Sequence, residues 1–138
     1  MAVASVRYIV ADVDDAIAFY CGRLGFAEVM HPAPTFAMLE RGGLRLVLSA
    51  VSDRPGGGQR LSDGTAPTPG GWNRIQLQTD GLDAAVAELR SAGVAFRTEV
   101  IEGVGVRQVV VEDPSGNPVA LVLSVSFGIR NVTTPNPP

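Results

Sequence analysis

The sequence has little of what most often forms cross-links or catalytic centres: it holds one cysteine and one histidine in 138 residues. Because Cys21 has no second cysteine to pair with, no disulfide forms within the chain, and export is not favoured. No histidine lies near Cys21 in sequence, so we expect a small packed thiol rather than a nucleophile. His31 precedes Pro32 and would need a partner to act as a general base, so we expect no catalytic role for it.

The sequence also lacks a basic excess, a long apolar run and an N-terminal targeting pattern. Its net charge is −3, whereas a nucleic-acid or anionic-membrane partner would require a basic face. No apolar run approaches the roughly 20 residues of a membrane span. Arg7 and the three acids after it come too early for a signal-peptide core. We therefore expect a cytoplasmic protein with no nucleic-acid and no membrane partner.

What is present is a regular order of apolar residues. In the first half, Ile17, Tyr20 and Leu24 follow a β-rich segment at helical spacing. Asp14 or Asp15 is expected to cap that helix, because a short acceptor side chain satisfies free backbone N–H groups. The predicted elements are a strand over 6–13, a helix ending at Gly25, a strand at 26–30, and a hairpin over 34–50 that turns at Gly42 and Gly43.

The second half repeats this order. The predicted elements are a strand over 73–80, a helix over 81–93, a strand over 94–100 and a hairpin over 105–123. A shift of 68 positions aligns Asp12 with Asp80 and Gly25 with Gly93. Each half therefore predicts a strand, a helix and three further strands, which indicates an internal duplication.

Residues 50–71 break the pattern and hold six glycines and three prolines. A loop of this length in a compact domain is either functional or a connector between similar halves. We expect it to act as a lid over a ligand or to lie on a partner chain. The predicted organisation is one domain over 1–138, with module 1 at about 3–50, a linker at 51–71, module 2 at about 72–124 and a frayed tail at 125–138.

Two stretches carry a resemblance to a known family. The segments VADVDDAIAFYCGRLGF (10–26) and VEDPSGNPVALV (111–122), in this order around a duplicated module, resemble the vicinal oxygen chelate superfamily. This superfamily includes glyoxalase I, the bleomycin-resistance proteins and the extradiol dioxygenases, and the resemblance covers about residues 3–124. It implies an α+β fold in which two βαβββ modules form an open cup or half-barrel sheet, with the ligand inside and the helices outside.

The resemblance also implies where a metal would bind. The family's metal ligands fall on Ser5, Arg74, Ala120 and one position within 46–49, where no acid or imidazole stands. Divalent metals need converging imidazole, carboxylate or similar donors, and a fixed arginine cation repels them. We therefore expect no metal and no cofactor.

The residues expected to line the cup instead suit a small organic molecule. Strand alternation places Arg74, Gln76 and Gln78 on one face, and Trp72 lies just ahead of them. One hypothesis is that Trp72 stacks on a planar group while Arg74 and the glutamines bond oxygens. The alternative is that Trp72 covers the core edge and Arg74 pairs with Glu40 or Glu112. The same alternation adds Arg7 from the first strand, together with Phe36 and Met38, which share a face and form either a ligand wall or core.

The predicted ligand-binding residues are thus Trp72, Arg74, Gln76, Arg7, Phe36 and Met38. We predict a metal-free, bleomycin-resistance-like protein that sequesters or carries a small organic ligand. We assign no catalytic residue. The alternatives are a metal-independent or atypical enzyme of the superfamily, such as a lyase or isomerase that uses Arg74 electrostatically and Glu40 or His31 for proton transfer. A metalloenzyme with an unorthodox site and a structural role are further alternatives. A half-open sheet also predicts a homodimer.

Overall fold

The computed structural model describes residues 4–124. These form two successive βαβββ modules, which confirms the predicted α+β class. The elements are β1 (Ala4–Ile9), α1 (Val13–Arg23), β2 (Ala27–Ala33), β3 (Phe36–Arg41), β4 (Leu44–Ser49), β5 (Ile75–Gln78), α2 (Leu82–Ser91), β6 (Ile101–Gly103), β7 (Val106–Glu112) and β8 (Pro118–Ser124). Neither helix in this range is long and apolar enough to cross a membrane. The predicted tail at 125–138 lies outside the described residues.

The described residues fall into two compact units. One unit comprises residues 4–72 together with the turn 113–117, and the other comprises 73–112 and 118–124. The first holds an open sheet of order β1-β4-β3-β2, and the second an open sheet of order β5-β8-β7-β6. In both sheets the first strand runs parallel to the last strand of its module, and the other neighbours are antiparallel.

The core of the first unit lies between α1 and one face of its sheet. Tyr20 is fully buried, and its ring meets those of Phe19 and Phe26 edge to face, with centroids 5.1 and 5.5 Å apart. Tyr8 and Val10 project to this side and are also buried. The opposite side of β1 is therefore left for other contacts, since successive side chains alternate in direction.

The cap of α1 differs from the prediction. Asp12, rather than Asp14 or Asp15, is the N-cap residue, and its side chain accepts a hydrogen bond from the Asp15 N–H at 2.9 Å. The extended backbone of Asp12, with φ −142° and ψ 118°, directs its carboxylate to the free N–H groups. Asp14 and Asp15 lie in the first turn, where negative charge favours the helix dipole.

The DPSGN turn, residues 113–117, builds a buried polar network within the first unit. The Asp113 carboxylate accepts from the Ser115 and Asn117 backbone N–H groups at 2.8 and 2.9 Å, and from the Tyr20 hydroxyl at 2.8 Å. The Asn117 side-chain amide donates to Asp113 at 3.0 Å and to the Ile9 carbonyl at 2.8 Å. Burial, followed by the nearby Asp113 charge, raises the pKa of Tyr20, which therefore stays protonated. This turn has a structural role, because its polar groups are consumed internally.

The strand predicted at 94–100 is wrong. This segment makes one isolated bridge, between Phe96 and Val111, and the ladder resumes only at β6. The reason is that the Thr98 hydroxyl accepts from the Val110 N–H at 3.1 Å, in the place of a backbone carbonyl. The Arg97 and Thr98 N–H groups meanwhile share the Val110 carbonyl, at 2.8 and 3.4 Å, so regular pairing cannot continue.

The two modules differ by one helical residue. α1 has 11 residues and α2 has 10. A shift of 68 therefore matches the helix ends, where Gly25 and Gly93 both adopt positive φ, of 74° and 79°. The strands before the helices need a shift one residue larger, so the counterpart of Asp12 is Gly81, which makes no side-chain cap.

Candidate functional site

The face of the first sheet opposite α1 carries three of the predicted residues. Arg7 pairs in register with Val47, and Val47 pairs with Met38 on its other side. In the next row, Ile9 pairs with Ser49, and Ser49 with Phe36. Residues paired across a sheet point to the same side, so Arg7, Met38 and Phe36 share one face. We call this surface the Arg7 face.

The row of the Arg7 face that contains Ser5 holds an ion pair. Ser5 pairs with Arg45, and Arg45 with Glu40 across the next strand. The Arg45 Nε lies 3.3 Å from the Glu40 carboxylate, and both side chains are about two-fifths exposed. In the second unit, Glu112 accepts from the Arg97 Nε at 2.7 Å. Both acids considered as partners of Arg74 thus engage another arginine of their own unit.

The first part of the predicted linker folds back over the Arg7 face. Ser52 and Gln59 form a β-bridge, and the Ser52 N–H donates to the Gly58 carbonyl at 3.0 Å, which closes a loop over residues 52–59. The Ser49 hydroxyl, on the Arg7 face, donates to the Gly56 carbonyl of this loop at 3.1 Å. Gly57 lies so near the Arg7 guanidinium that a Cβ there would overlap it. The 52–59 loop therefore covers one end of the Arg7 face.

A pocket of about 330 Å³ opens between the 52–59 loop and the turn from β2 to β3. Phe36 is the one member of the predicted site that lines it. Sequence reasoning did not identify its cation, Arg54, or its hydroxyls, because their place depends on how the loop closes. The lining residues are Pro32, Ala33, Thr35, Phe36, Ala50, Ser52, Arg54, Pro55, Gly56 and Gly58.

The second unit carries two further predicted residues, Gln76 and Arg74. Gln76 is exposed and pairs with Ala120, which pairs on its other side with Val110. Val110, Ala120 and Val122 form a buried apolar cluster on that face. Arg74 is exposed and precedes β5. Trp72 belongs to the first unit and is 69% exposed, so its side chain is not buried in a core.

The family's metal positions do not hold a donor set. Ala120 has no donor atom, and Arg74 has a cationic one. On β4, the residues that face the same side as Ser5 are Arg45, Val47 and Ser49. Within residues 4–124, no group of three or more His, Cys, Asp or Glu side chains is arranged to hold a metal ion. The residues present do not fit the divalent ion that the fold family implies.

The proposed proton-transfer residues are not brought together. His31 faces α1, where its Nε2 lies 3.7 Å from the Asp14 carboxylate. Glu40 lies on the opposite side of the sheet, in the ion pair with Arg45. Cys21, in α1, is only partly buried, yet burial and then the Glu28 charge raise the pKa of its thiol. A raised pKa keeps Cys21 in the unreactive thiol form.

Comparison with known proteins agrees with this fold. A family model, Glyoxalase/Bleomycin resistance protein/Dioxygenase superfamily, matches residues 2–121. A member of that superfamily from Sphaerobacter thermophilus superimposes with TM-score 0.70 at 29% identity, covering 90% of this chain and 98% of its own. TnmS3, an antibiotic-binding protein from a Streptomyces species, gives TM-score 0.66 at 25% identity over 90% and 96% of the two chains.

A third solved structure shares the fold at lower identity. Lactoylglutathione lyase from Agrobacterium tumefaciens superimposes with TM-score 0.69 at 17% identity, over 88% of this chain and 92% of its own. Comparison with curated proteins gives no significant match. The family model spans nearly the whole described chain, and we conclude that the protein belongs to the glyoxalase/bleomycin resistance protein/dioxygenase superfamily.

Proposed function

We propose that this protein binds a small organic molecule and sequesters or carries it, without a metal ion. The observation that carries the proposal is the Arg7 face, where a cation, a thioether and an aromatic ring share one side of the sheet and no set of metal-ligating side chains is found among the described residues. A guanidinium recognises oxygen anions, and Met and Phe provide adaptable apolar contact. Such a combination is typical of a ligand site that is mostly apolar with a few fixed polar groups.

The charge of Arg7 supports this proposal. Its side chain is exposed, and no carboxylate among residues 4–124 forms an ion pair with it. Gly57 lies against the Arg7 guanidinium and contributes no side chain. A guanidinium that forms no ion pair within the protein can bind an anionic group of a ligand.

Likeness to TnmS3 gives independent support for binding rather than catalysis, since that protein is an antibiotic-binding protein. We propose the same class of role for this chain. We further propose that Trp72, Arg74 and Gln76 contribute ligand contacts from their own segment. A homodimer is part of the proposal, because the edge strands β2 and β6 expose Met30 and Ile101. Sedimentation equilibrium of the purified chain tests the dimer.

The deciding experiment has two measurements on the untagged, undialysed protein. Elemental mass spectrometry is expected to find far less than one equivalent of zinc, iron, nickel or manganese. A thermal-shift screen of a small-molecule library is then expected to find ligands that stabilise the chain. About one metal ion per chain, lost on treatment with chelator together with stability, would overturn the proposal.

A matched pair of variants locates the ligand. Arg7→Ala is expected to weaken a hit by roughly tenfold or more, as loss of a charged hydrogen bond does. Arg23→Ala makes the same charge change on α1, away from the Arg7 face, and is expected to leave affinity unchanged. Equal affinities of both variants and the wild type would remove Arg7 from the site.

A further inference from the structure

We propose that the 330 Å³ pocket beneath the 52–59 loop is a site for a small carboxylate with a flat apolar body, and that Arg54 binds its carboxylate. This inference rests on the proposed function and names a ligand class and a residue for it. We call this site the Arg54 pocket. It adjoins the Arg7 face through Phe36, which lines the pocket and lies in the row next to Met38.

The electrostatics of the Arg54 pocket favour an anion. Arg54 is its one charged lining residue, and no lining residue is acidic. The neighbouring acid, Asp53, lies 3.3 Å from the Arg60 guanidinium. No carboxylate in residues 4–124 forms an ion pair with Arg54. The Arg7 guanidinium lies under Gly57 of the same loop and adds a second positive charge nearby. A local positive site in a chain of net charge −3 selects for anionic groups.

The walls of the pocket favour a flat apolar body. The Phe36 ring, two prolines and two alanines line it, and its polar groups are few. Phe36 is a surface on which a planar group stacks, and aromatic pairs of this kind are favourable beyond the area they bury. A volume of 330 Å³ is near the lower bound of small-molecule sites, so a single ring with a short acid chain suits it.

Hydroxyl groups complete the site. Ser52, a lining residue, accepts at its Oγ from the Arg54 backbone N–H at 3.0 Å, which leaves the serine O–H as a donor. The Thr35 carbonyl accepts from Ala50 at 3.0 Å, so the backbone that carries the Thr35 hydroxyl is fixed. A guanidinium fork and two hydroxyl donors match the two oxygens of a carboxylate better than a neutral group.

The probe for this proposal is 3-phenylpropionate, with its neutral amide as the matched compound. Each is titrated into the isotope-labelled full chain while amide NMR signals are recorded. We expect the acid to shift the Gly56 and Gly58 signals and to bind at least about tenfold more tightly than the amide. Equal binding of acid and amide, or signal changes confined to residues away from the pocket, would overturn the proposal.

Variants of Arg54 and of the nearby Arg60 separate a specific contact from general charge. Arg54→Ala is expected to weaken the acid by about tenfold or more, and Arg54→Lys to restore part of the loss because the charge remains without the planar fork. Arg60→Ala removes the same charge a few residues away, at a side chain paired with Asp53, and should change affinity little. Equal losses in Arg54→Ala and Arg60→Ala would show nonspecific attraction and refute the assignment.

The failure of this inference is distinguishable from failure of the proposed function. If library ligands bind and depend on Arg7 while the acid does not bind, the Arg54 pocket is refuted and the binding function stands. If the chain carries a stoichiometric metal and no library ligand binds, the proposed function fails. Correct folding of each variant is checked by its amide spectrum before titration.

Discussion

Replacing Tyr20 by Phe tests whether the buried network around Asp113 stabilises the first unit. The substitution removes one hydroxyl donor, at 2.8 Å from the carboxylate, and keeps the ring in its fully buried position. Asp113 then retains three N–H donors, from the Ser115 backbone and from the backbone and side chain of Asn117. A hydrogen bond to a charged group contributes roughly 1.5–3 kcal/mol, and we expect Tyr20→Phe to lower the unfolding free energy by about that amount.

The same variant has a signature at high pH that a packing defect would not give. The pKa of Tyr20 is raised from its ordinary value of 10.0 in the folded chain, by burial first and then by the Asp113 charge. Above pH 10 the unfolded chain loses this proton and the folded chain keeps it, so the stabilisation is lost as pH rises. For one proton the loss is about 1.4 kcal/mol per pH unit.

The assay is urea unfolding at pH 7 and at several values between 9 and 11, roughly the range over which an unfolded tyrosine titrates. Wild type is expected to lose stability more steeply than Tyr20→Phe above pH 10, because only wild type carries the Tyr20 hydroxyl. A stability change below about 0.5 kcal/mol at pH 7, or parallel pH dependences, would show that the Tyr20–Asp113 bond contributes nothing net.

Two further substitutions test local features that the structure assigned. Asp12→Ala should lower the unfolding free energy by about 1 kcal/mol, because α1 loses its cap. Asp80→Ala, the control in the second module, should change it by less than about 0.5 kcal/mol. Equal losses in the two variants would contradict the assignment of Asp12 alone as a cap. Gly58→Ala should cost about 1–3 kcal/mol and speed trypsin cleavage after Arg60, because its Cβ would overlap the Ala50 carbonyl, which is fixed backbone. Gly43→Ala, where no atom lies within 4 Å, is the control, and equal proteolysis of both variants would refute a closed 52–59 loop.

The local pattern of apolar and polar residues predicted most helices and strands. It failed where several neighbouring residues could play the same structural role. Asp12, Asp14 and Asp15 are all acceptors near the start of α1, and only the extended backbone of Asp12 decided which one caps it. The segment 94–100 is as apolar and β-branched as a strand. Its pairing stops because the Thr98 hydroxyl competes for the Val110 N–H, a contact 12 positions away in sequence.

The candidate site divides in the same way. Alternation along β1 and β5 correctly separated the buried side from the side of Arg7 and Gln76, and it placed Phe36 and Met38 on one face of β3, because a strand has a fixed period of two. Residue types alone also showed that Ser5, Arg74 and Ala120 make a poor donor set for a metal. The Arg54 pocket could not be predicted, since its wall depends on the Ser49–Gly56 hydrogen bond and the Ser52–Gln59 bridge.

The sequence by itself determined the duplicated βαβββ order, the family and which strand faces are apolar, because periodicity and short turn motifs act over neighbouring residues. Tertiary structure decided where the glycine-rich linker goes and which arginines keep an internal partner. Arg45, Arg60 and Arg97 meet acids, while no acid of the described chain pairs with Arg7 or Arg54. Identical side chains differ here only in what the fold places beside them, since charge pairing depends on distance in space and not along the chain.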